Sequence, residues 1–543
     1  MMRTHTPPTN DKRQGVVLIV VLVLVVMIAL AGFSFVRSMS TDYEAAKIGG
    51  DAMQAEQALL SAEVYVNRYM KMPRLERESG SVGADTLPVE FRGIPLLSGT
   101  EEAGNSIAET TRPADDGWQF SIVAPAVPAS GNDDGVEASQ PYRFGLANQS
   151  NKLNLAAIAA WDRIRPGAGR ATLMKLPSMT TQIADALLDW IDADSERREF
   201  GAESEFYAEL SQPYQVANRL PGSLEELLLV RGVTRNLLFG ADENRNFRID
   251  DDEQQLAAAR LVQNSSSTAA VSETTAWCDL LTVHSAERND SPGGTPRVNL
   301  NNPDLTILQS ELSAVFPTEV TNFVLLYRQY GPSNPTTTVS AAGVTVNTTT
   351  PARTNIAALS DLVDAKVTVP GEPAVGVSSP FTRGSAELGQ WLSALLSETT
   401  TNAQRVLPAR LNINSSPEAV VWAIPFLSDE IVESLLDARR NLEPAERRSV
   451  AWLLTKDIVS VETFGQLQPW LTAGGDVFEC QLIVFRGSRG PIRRVRAVFD
   501  GASTSPRRLE WQSLQGLGNG FSRSEVSREV ADLESALTES REP

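Results

Sequence analysis

The feature that most constrains this chain is an apolar run near its N-terminus, 16–36, which reads VVLIVVLVLVVMIALAGFSFV and holds no charged residue. A helix rises about 1.5 Å per residue, so about 21 residues are enough to cross the hydrocarbon core of a bilayer, about 30 Å thick. We therefore predict a single transmembrane helix over this run.

A short polar leader, 1–15, precedes the run. It carries Arg3, Lys12 and Arg13 and ends at Gly15. Positive residues beside a membrane helix favour the cytoplasmic side, so the bulk of the chain is expected on the opposite side. An ordinary secretory signal is cleaved after its apolar region, whereas here the candidate cleavage site lies before it.

A basic leader that ends in glycine and runs into an uninterrupted apolar helix resembles the prepilin-type signal of type IV pilins and type II secretion pseudopilins. The resemblance implies that the prepilin peptidase cuts after Gly15 and that Val16 becomes the N-terminus. Most such proteins carry a glutamate five residues into the mature chain, where this sequence has Val20. The absence of that glutamate is typical of the K-type minor pseudopilins, the general secretion pathway protein K family. It implies a subunit that need not dock on another subunit ahead of it.

Hydrophobic periodicity predicts an α+β fold. Helical character continues from the membrane run through 37–70, and strands are expected at 117–127, at 142–155 and in three runs after 475. Strands separated by a long, mainly helical stretch indicate a large α-helical domain inserted into a domain in which a long N-terminal helix packs on an antiparallel sheet. The same pseudopilin fold is implied by the resemblance. The predicted parts are the leader 1–15, the transmembrane segment 16–36, the pseudopilin domain 37–155, the inserted domain 156–475, the C-terminal strands 476–517 and a polar tail 518–543.

Three segments of the inserted domain, starting at Lys152, Val298 and Leu411, share an asparagine-containing entry and two apolar helices joined by a short turn. They resemble helix-hairpin-helix units, but their turns lack the glycines that nucleic-acid-binding members use to present amides to phosphate. We therefore expect packing or partner contacts and no nucleic acid partner, in agreement with the net charge of −19. A Thr/Ser/Pro-rich stretch, 331–384, is predicted to be a long surface loop.

The sharpest local motif is an acidic loop, 242–253, which reads DENRNFRIDDDE. Oxygen-bearing side chains at the calcium-loop positions come from Asp242, Asn244, Asn246, Asp250 and Glu253, and Arg248 offers a backbone carbonyl. This spacing lets one tight turn direct six or seven oxygens at a hard cation. Phe247 stands where the template has glycine, and a left-handed backbone there would cost about 1 kcal/mol or more. The alternative is an Asp/Asn-rich turn that binds no metal.

A second acidic cluster reads DWIDADSERREFGAESEFY at 189–207. Together with the residues up to Val233, it closely resembles the signature of the K-type pseudopilins. The resemblance implies calcium in this domain, and Asp192, Asp194 and Glu203 keep calcium-loop spacing. The alternative is that Arg197 and Arg198 neutralise the carboxylates without a metal.

The remaining polar motifs offer little for catalysis, and we expect no enzyme. His284 is the only histidine after the leader, and the sequence has no G-x-S-x-G, H-E-x-x-H or phosphate-loop motif. Cys278 and Cys480 could pair or remain buried thiols. A basic run is predicted to face solvent or a partner. It comprises Arg486, Arg489, Arg493, Arg494 and Arg496.

These resemblances imply a minor pseudopilin at the tip of the type II secretion pseudopilus, which supports pseudopilus assembly and protein export across the outer membrane. Its expected partners are the I-, J- and H-type minor pseudopilins, the prepilin peptidase and inner-membrane lipid, with the bulk of the chain in the periplasm. Two alternatives remain open. A minor pilin of a type IV pilus or DNA-uptake system would keep the signal without the pattern at 189–214. A membrane-anchored, calcium-stabilised periplasmic hydrolase would keep its original N-terminus.

Overall fold

The computed structural model describes residues 13–79, 91–96, 117–126, 141–256, 276–385, 388–487 and 490–527. The N-terminal run belongs to one continuous helix, α1 (Arg13–Lys71). Side chains from 17 to 49 are exposed throughout. Within the described ranges, α1 is the one helix long and apolar enough to cross a membrane. An exposed apolar run of this length needs lipid or partner helices around it, which agrees with the predicted transmembrane segment.

The C-terminal part of α1 packs on a seven-stranded antiparallel sheet. The strands are β1 (Ile94–Pro95), β2 (Trp118–Pro125), β3 (Tyr142–Phe144), β4 (Ala147–Asn148), β5 (Val477–Arg486), β6 (Ile492–Asp500) and β7 (Arg507–Ser513). Their order is β1-β2-β5-β6-β7, with β3 beside β2 and β4 beside β5. Ala55, Ala58 and Ala62 recur at helical spacing and bring α1 close to the sheet. The predicted arrangement of a long helix on an antiparallel sheet is therefore confirmed.

Between β4 and β5 lies the inserted domain, a mainly helical body with its own apolar core. The helices after α1 are α2 (Arg74–Ser79), α3 (Leu155–Ile164), α4 (Ala168–Leu173), α5 (Thr181–Ile191), α6 (Ser204–Ala208), α7 (Arg235–Phe239), α8 (251–256), α9 (Trp277–Leu280), α10 (Leu305–Ser313), α11 (Thr318–Tyr330), α12 (Leu388–Glu398), α13 (Glu418–Trp422), α14 (Asp429–Arg440), α15 (Trp452–Thr455) and α16 (Val461–Leu467). The three predicted helical pairs correspond to α3–α5, α10–α11 and α13–α14.

Short strand pairs hold these helices together. They are Leu153–Asn154 with Leu281–Thr282, Ala286–Arg288 with Val406–Pro408, Val298–Asn299 with Thr399–Thr400, and Leu411–Asn412 with Leu471–Thr472. The pairing of Leu153 and Asn154 places the start of the inserted domain a few residues before the predicted boundary at 156.

The stretch 331–384 is not the surface loop predicted from its composition. It forms a three-stranded sheet from Val339–Ser340, Lys366–Val369 and Val375–Ser378. Ile356, Leu362 and Phe381 are buried in the core of the inserted domain. Apolar residues scattered among threonines and serines thus anchor this stretch.

Polar side chains on α11 explain why this stretch is ordered. Asn322 donates to the carbonyl oxygens of Ala341 and Val344 at 3.1 and 2.9 Å, and Gln329 donates to that of Asn347 at 2.7 Å. Arg328 is buried and donates to the backbone carbonyl oxygens of Asn302 and Thr354, which precede and follow α11 in the sequence. Buried carbonyl groups need hydrogen-bond donors. The stretch 331–384 forms few backbone hydrogen bonds between strands, and side chains of α11 supply donors in their place.

The predicted polar tail begins as packed structure. After β7, a short helix, α17 (Arg523–Val526), starts at a capping box formed by Ser522 and Glu525. Phe521 and Val526 are buried against Val123 and Ile483, on the face of the sheet opposite α1. The described part of the tail, to 527, therefore covers the second face of the sheet.

Cys278 and Cys480 are free thiols. Cys480 is buried between α1 and the sheet. Neighbouring residues of a strand point to opposite faces, and Glu479 on the other face contacts Lys152 of the inserted domain at 3.1 Å. Cys278, in α9, lies close enough to Lys152 and Glu479 for their charges to act on its thiol, and so it is on the opposite side of the sheet from Cys480. Burial raises the pKa of both thiols, and a raised pKa disfavours the nucleophilic thiolate form.

Candidate functional site

The acidic cluster lies where α5 ends and the chain turns towards α6. Asp189 is fully buried on α5, and Asp192 follows the last residue of that helix. Arg198 donates through Nη1 to Asp189 Oδ1 at 2.8 Å and to Asp192, and through Nη2 to Asp162 Oδ2 at 3.1 Å. The side chain of Arg197 is exposed. One of the two arginines thus neutralises part of the cluster.

Carboxylate charge remains in excess after this pairing. Glu203 is 5% exposed, and within the described chain neither of its carboxylate oxygens has a hydrogen-bond partner. The Oδ1 atom of Asp192 is also buried and unpaired there. Burial, together with the charges of Asp189 and Asp192, raises the pKa of Glu203. Unsatisfied carboxylate oxygens are costly in a protein interior, and they are the ligands a hard cation requires.

The third predicted ligand, Asp194, is exposed. Its Oδ1 atom accepts the backbone N–H of Glu196 at 2.8 Å. A Cβ atom at Gly201 would lie 1.9 Å from Asp189 Oδ2, so the close approach of the backbone to this carboxylate requires glycine. The glycine of the GAE motif therefore has a steric role in the cluster.

The loop 242–253 folds around its first and last carboxylates. Asp242 accepts the backbone N–H groups of Asn246 at 3.0 Å and Phe247 at 2.7 Å. Glu253 accepts those of Asn244 at 2.9 Å and Asp250 at 3.0 Å. Phe247 has the left-handed φ of 69° that the calcium-loop template assigns to glycine.

The middle of this loop is bound to itself. Asp250 accepts hydrogen bonds from Asn244 Nδ2 at 2.8 Å, Asn246 Nδ2 at 2.9 Å and Arg248 Nε at 2.8 Å. Asn244 Oδ1 is buried and, in the described ranges, unpaired. Burial raises the pKa of Asp242 to about 6. The predicted ligands are thus brought together, but the two asparagines present N–H groups to Asp250 in this arrangement.

Across the described ranges, no group of three or more His, Cys, Asp or Glu side chains is placed to hold a metal ion. For the loop 242–253, cation binding therefore requires Asn244 and Asn246 to turn their oxygens towards Asp242. For the acidic cluster, it requires Asp194 to swing towards Glu203. Both changes are side-chain rotations at positions that are exposed or half-buried, apart from Asn246, which is buried.

The same loop docks on the face of the sheet opposite α1. Gln481 on β5 donates to the carbonyl oxygen of Arg245 at 2.6 Å, and Arg494 on β6 donates to it at 3.4 Å. Arg248 Nη1 lies 2.5 Å from Glu525 Oε1 in α17. The loop therefore joins the inserted domain to both the sheet and the described tail. Nothing in the local sequence of the loop indicates this role.

The basic run predicted to face solvent or a partner is largely internal. Arg494 is 1% exposed, and Arg496 contacts Glu479 at 2.5 Å and Glu510 at 2.7 Å. Arg486 contacts Asp51 of α1 at 2.8 Å. Arg493 is half-buried, and Arg489 lies outside the described residues. The prediction was wrong for Arg494 and Arg496 because the inserted domain and the tail cover the face on which they lie.

Comparison with known protein families finds a match that covers the acidic cluster. Residues 151–239 match the family model for type II secretion system (T2SS), protein K. Over these residues the chain is similar to protein K, and the matched segment is called the protein K domain below. The domain extends from the entry of α3 to the end of α7, so it contains the whole acidic cluster and ends just before the loop 242–253. The resemblance predicted from the signature at 189–233 is thereby confirmed.

No curated protein matches the sequence. Among solved structures, a chain of the GspK-GspI-GspJ complex from the enterotoxigenic Escherichia coli type 2 secretion system is 12% identical to this one. The match covers 85% of this chain and 97% of the other, with a TM-score of 0.34. A superposition at that score does not by itself establish a shared fold, and the protein K domain is the informative finding.

Proposed function

We propose that this chain is a K-type minor pseudopilin that acts in assembly of the type II secretion pseudopilus and so in protein export across the outer membrane. The match of 151–239 to the protein K family is the observation that carries the proposal. It favours a pseudopilin over a type IV minor pilin, which has no need of this domain. The same match supports a structural role over a hydrolase anchored by the same segment.

The mechanism is assembly through α1. Residues 17–36 present apolar side chains in every direction, as expected for a helix that passes from lipid into a bundle of neighbouring helices. Beyond them, Met53 is 74% exposed and Val64 is 67% exposed. These side chains offer lateral contacts to I-, J- and H-type subunits in the periplasm.

A place at the tip follows from two features of this chain. A glutamate at this position would need a partner on a subunit ahead of it, because an unpaired carboxylate in hydrocarbon is costly. This chain has Val20 instead, so its N-terminal segment needs no such subunit. The inserted domain adds bulk on the sheet face opposite α1 and would block addition of a further subunit. Co-purification with the other minor pseudopilins tests this proposal.

We further propose that calcium binds the acidic cluster, through Asp192, Asp194 and Glu203, and the loop through Asp242 and Glu253. The unpaired carboxylate oxygens of Glu203 and Asp192 support this assignment. When bound, the ion would supply positive charge that Arg198 alone does not provide. The chain buries Glu203 and Glu253 and leaves Asp192, Asp194 and Asp242 partly or fully open to solvent, from which an ion could enter.

Removal of calcium should lower the melting temperature of the full-length chain in detergent by about 5–10 °C. An ion present at about 100 times its Kd contributes about 2.7 kcal/mol, and domains of this size shift by about 2–4 °C per kcal/mol. Differential scanning calorimetry with and without a chelator measures the shift. Glu203→Gln and Asp242→Ala should each reduce it, whereas Glu205→Gln, an exposed neighbour, should leave it unchanged. An identical melting temperature of the wild type with and without chelator would remove calcium from the account.

A further inference from the structure

A glycine-rich connector, 515–520, links β7 to the last described segment of the chain. It reads QGLGNG, begins with one 3₁₀ turn and is exposed except at Leu517 and Gly520, which are half-buried. Gly518 and Gly520 have left-handed φ angles of 84° and 69°. Glycine has more backbone freedom than any other residue, so the segment that follows this connector is able to move relative to β7.

The terminal segment, 521–526, contains α17 and attaches to the sheet through its two ends. Phe521 is 3% exposed, and its ring centroid lies 5.1 Å from that of Tyr142 on β3. Val526 is 0% exposed, and its carbonyl oxygen accepts from Ser121 Oγ on β2 at 2.6 Å. The seat of the terminal segment is therefore the sheet face opposite α1.

The terminal segment also contacts the loop 242–253 of the inserted domain. Arg248 of the loop forms the ion pair with Glu525 described above, in which the two side chains are 35% and 24% exposed. The ring centroids of Phe247 and Phe521 lie 6.5 Å apart. A partly exposed ion pair and a ring contact each contribute modestly, so these contacts are strong enough to order the loop and weak enough to separate.

Gly520 marks the place where the connector passes over β6. Its carbonyl oxygen accepts from Asn246 Nδ2 of the loop at 3.0 Å. A Cβ atom at Gly520 would overlap the guanidinium group of Arg494, which is buried and donates to the carbonyl oxygen of Asn244 at 2.5 Å. Because Arg494 is held in place, any side chain at position 520 would lift the connector from the sheet. A Cβ atom at Gly516, by contrast, meets nothing within 4 Å.

We propose that residues 521–526 form a latch that opens and closes about the connector 515–520, and that the closed latch holds the loop 242–253 on the sheet. Other contacts between the inserted domain and the sheet, such as that of Lys152 with Glu479 at 3.1 Å, do not involve the latch. Opening therefore releases the loop while the two domains stay together. The latch depends on neither calcium nor the proposed function, since every contact that forms it lies within this chain.

Hydrogen–deuterium exchange of the full-length chain in detergent, with a chelator present to remove calcium, measures this release. The backbone N–H groups that donate to Asp242 and Glu253 report on the loop. In Gly520→Ala and in Phe521→Ala they should exchange about tenfold faster than in the wild type, because an open latch makes local opening of the loop more frequent. Gly516→Ala is the matched control in the same connector and should exchange as the wild type does.

The amides of α5, in the core of the inserted domain, serve as the internal reference. Faster exchange in the loop with unchanged exchange in α5 supports the latch. Unchanged exchange of the loop in both Gly520→Ala and Phe521→Ala would overturn the proposal. Equal acceleration in the loop and in α5 would also overturn it, because that pattern indicates a loss of stability throughout the domain and not a local release.

Discussion

Replacing Arg198 by alanine should lower the free energy of unfolding by about 3–5 kcal/mol, the usual cost of leaving a buried ion without its partner. Arg198 bridges Asp162, Asp189 and Asp192, and the side chain of Asp189 is 0% exposed. Burial already raises the pKa of Asp189 while Arg198 is present. Without the arginine, this carboxylate must be buried as an uncompensated charge or take up a proton. Equilibrium unfolding in urea, followed by tryptophan fluorescence, measures the change.

The matched control is Arg197→Ala, which removes the same charge from the exposed neighbouring position. It should change stability by less than about 0.5 kcal/mol. Added calcium should restore part of the stability lost in Arg198→Ala, because the ion would compensate the same carboxylates. Equal destabilisation by the two alanine variants would contradict the role assigned to Arg198.

Gly15→Leu should abolish processing of the N-terminus. The resemblance to prepilin signals places the cleaved bond between Gly15 and Val16, and glycine alone lacks a side chain that would hinder close approach of a peptidase to the backbone. Mass spectrometry of the purified protein should find a chain starting at Val16 for the wild type and an uncleaved chain for the variant.

Gly32→Leu provides the control for this substitution. It lies in the same helix, and a Cβ atom there meets nothing within 4 Å. It should be processed as the wild type is. Cleavage of Gly15→Leu at the same bond, or a wild-type protein that retains its leader, would contradict a prepilin-type signal.

Patterns of neighbouring residues predicted the helices and strands whose form is set by residues close in sequence. The apolar run gave α1, and the alternation Trp118, Phe120, Ile122 gave β2, because helix and strand periodicity are set by nearby residues. The acidic cluster was also anticipated as a group, since Asp192 and Glu203 are close in sequence, and the structure brings them near enough for the charge of Asp192 to raise the pKa of Glu203.

Contacts between distant segments could not be predicted in the same way. Arg494 was assigned to the surface because arginine is rarely buried, yet it donates to the carbonyl oxygen of Arg245 on the loop 242–253. The stretch 331–384 was misjudged for a related reason, because the buried amides of α11 that hold it lie outside the stretch.

The central claim, a K-type minor pseudopilin, is tested most directly by co-purification. The tagged full-length chain would be isolated from detergent-solubilised membranes and its partners identified by mass spectrometry. Glutamate substitutions at the exposed apolar positions of α1, Met53→Glu and Val64→Glu, would be compared with Gln57→Glu on an exposed polar position of the same helix. Our account predicts recovery of I- and J-type minor pseudopilins with the wild type and with Gln57→Glu, and their loss with the other two variants. Recovery of type IV pilus subunits instead, or of no pseudopilin at all, would contradict it.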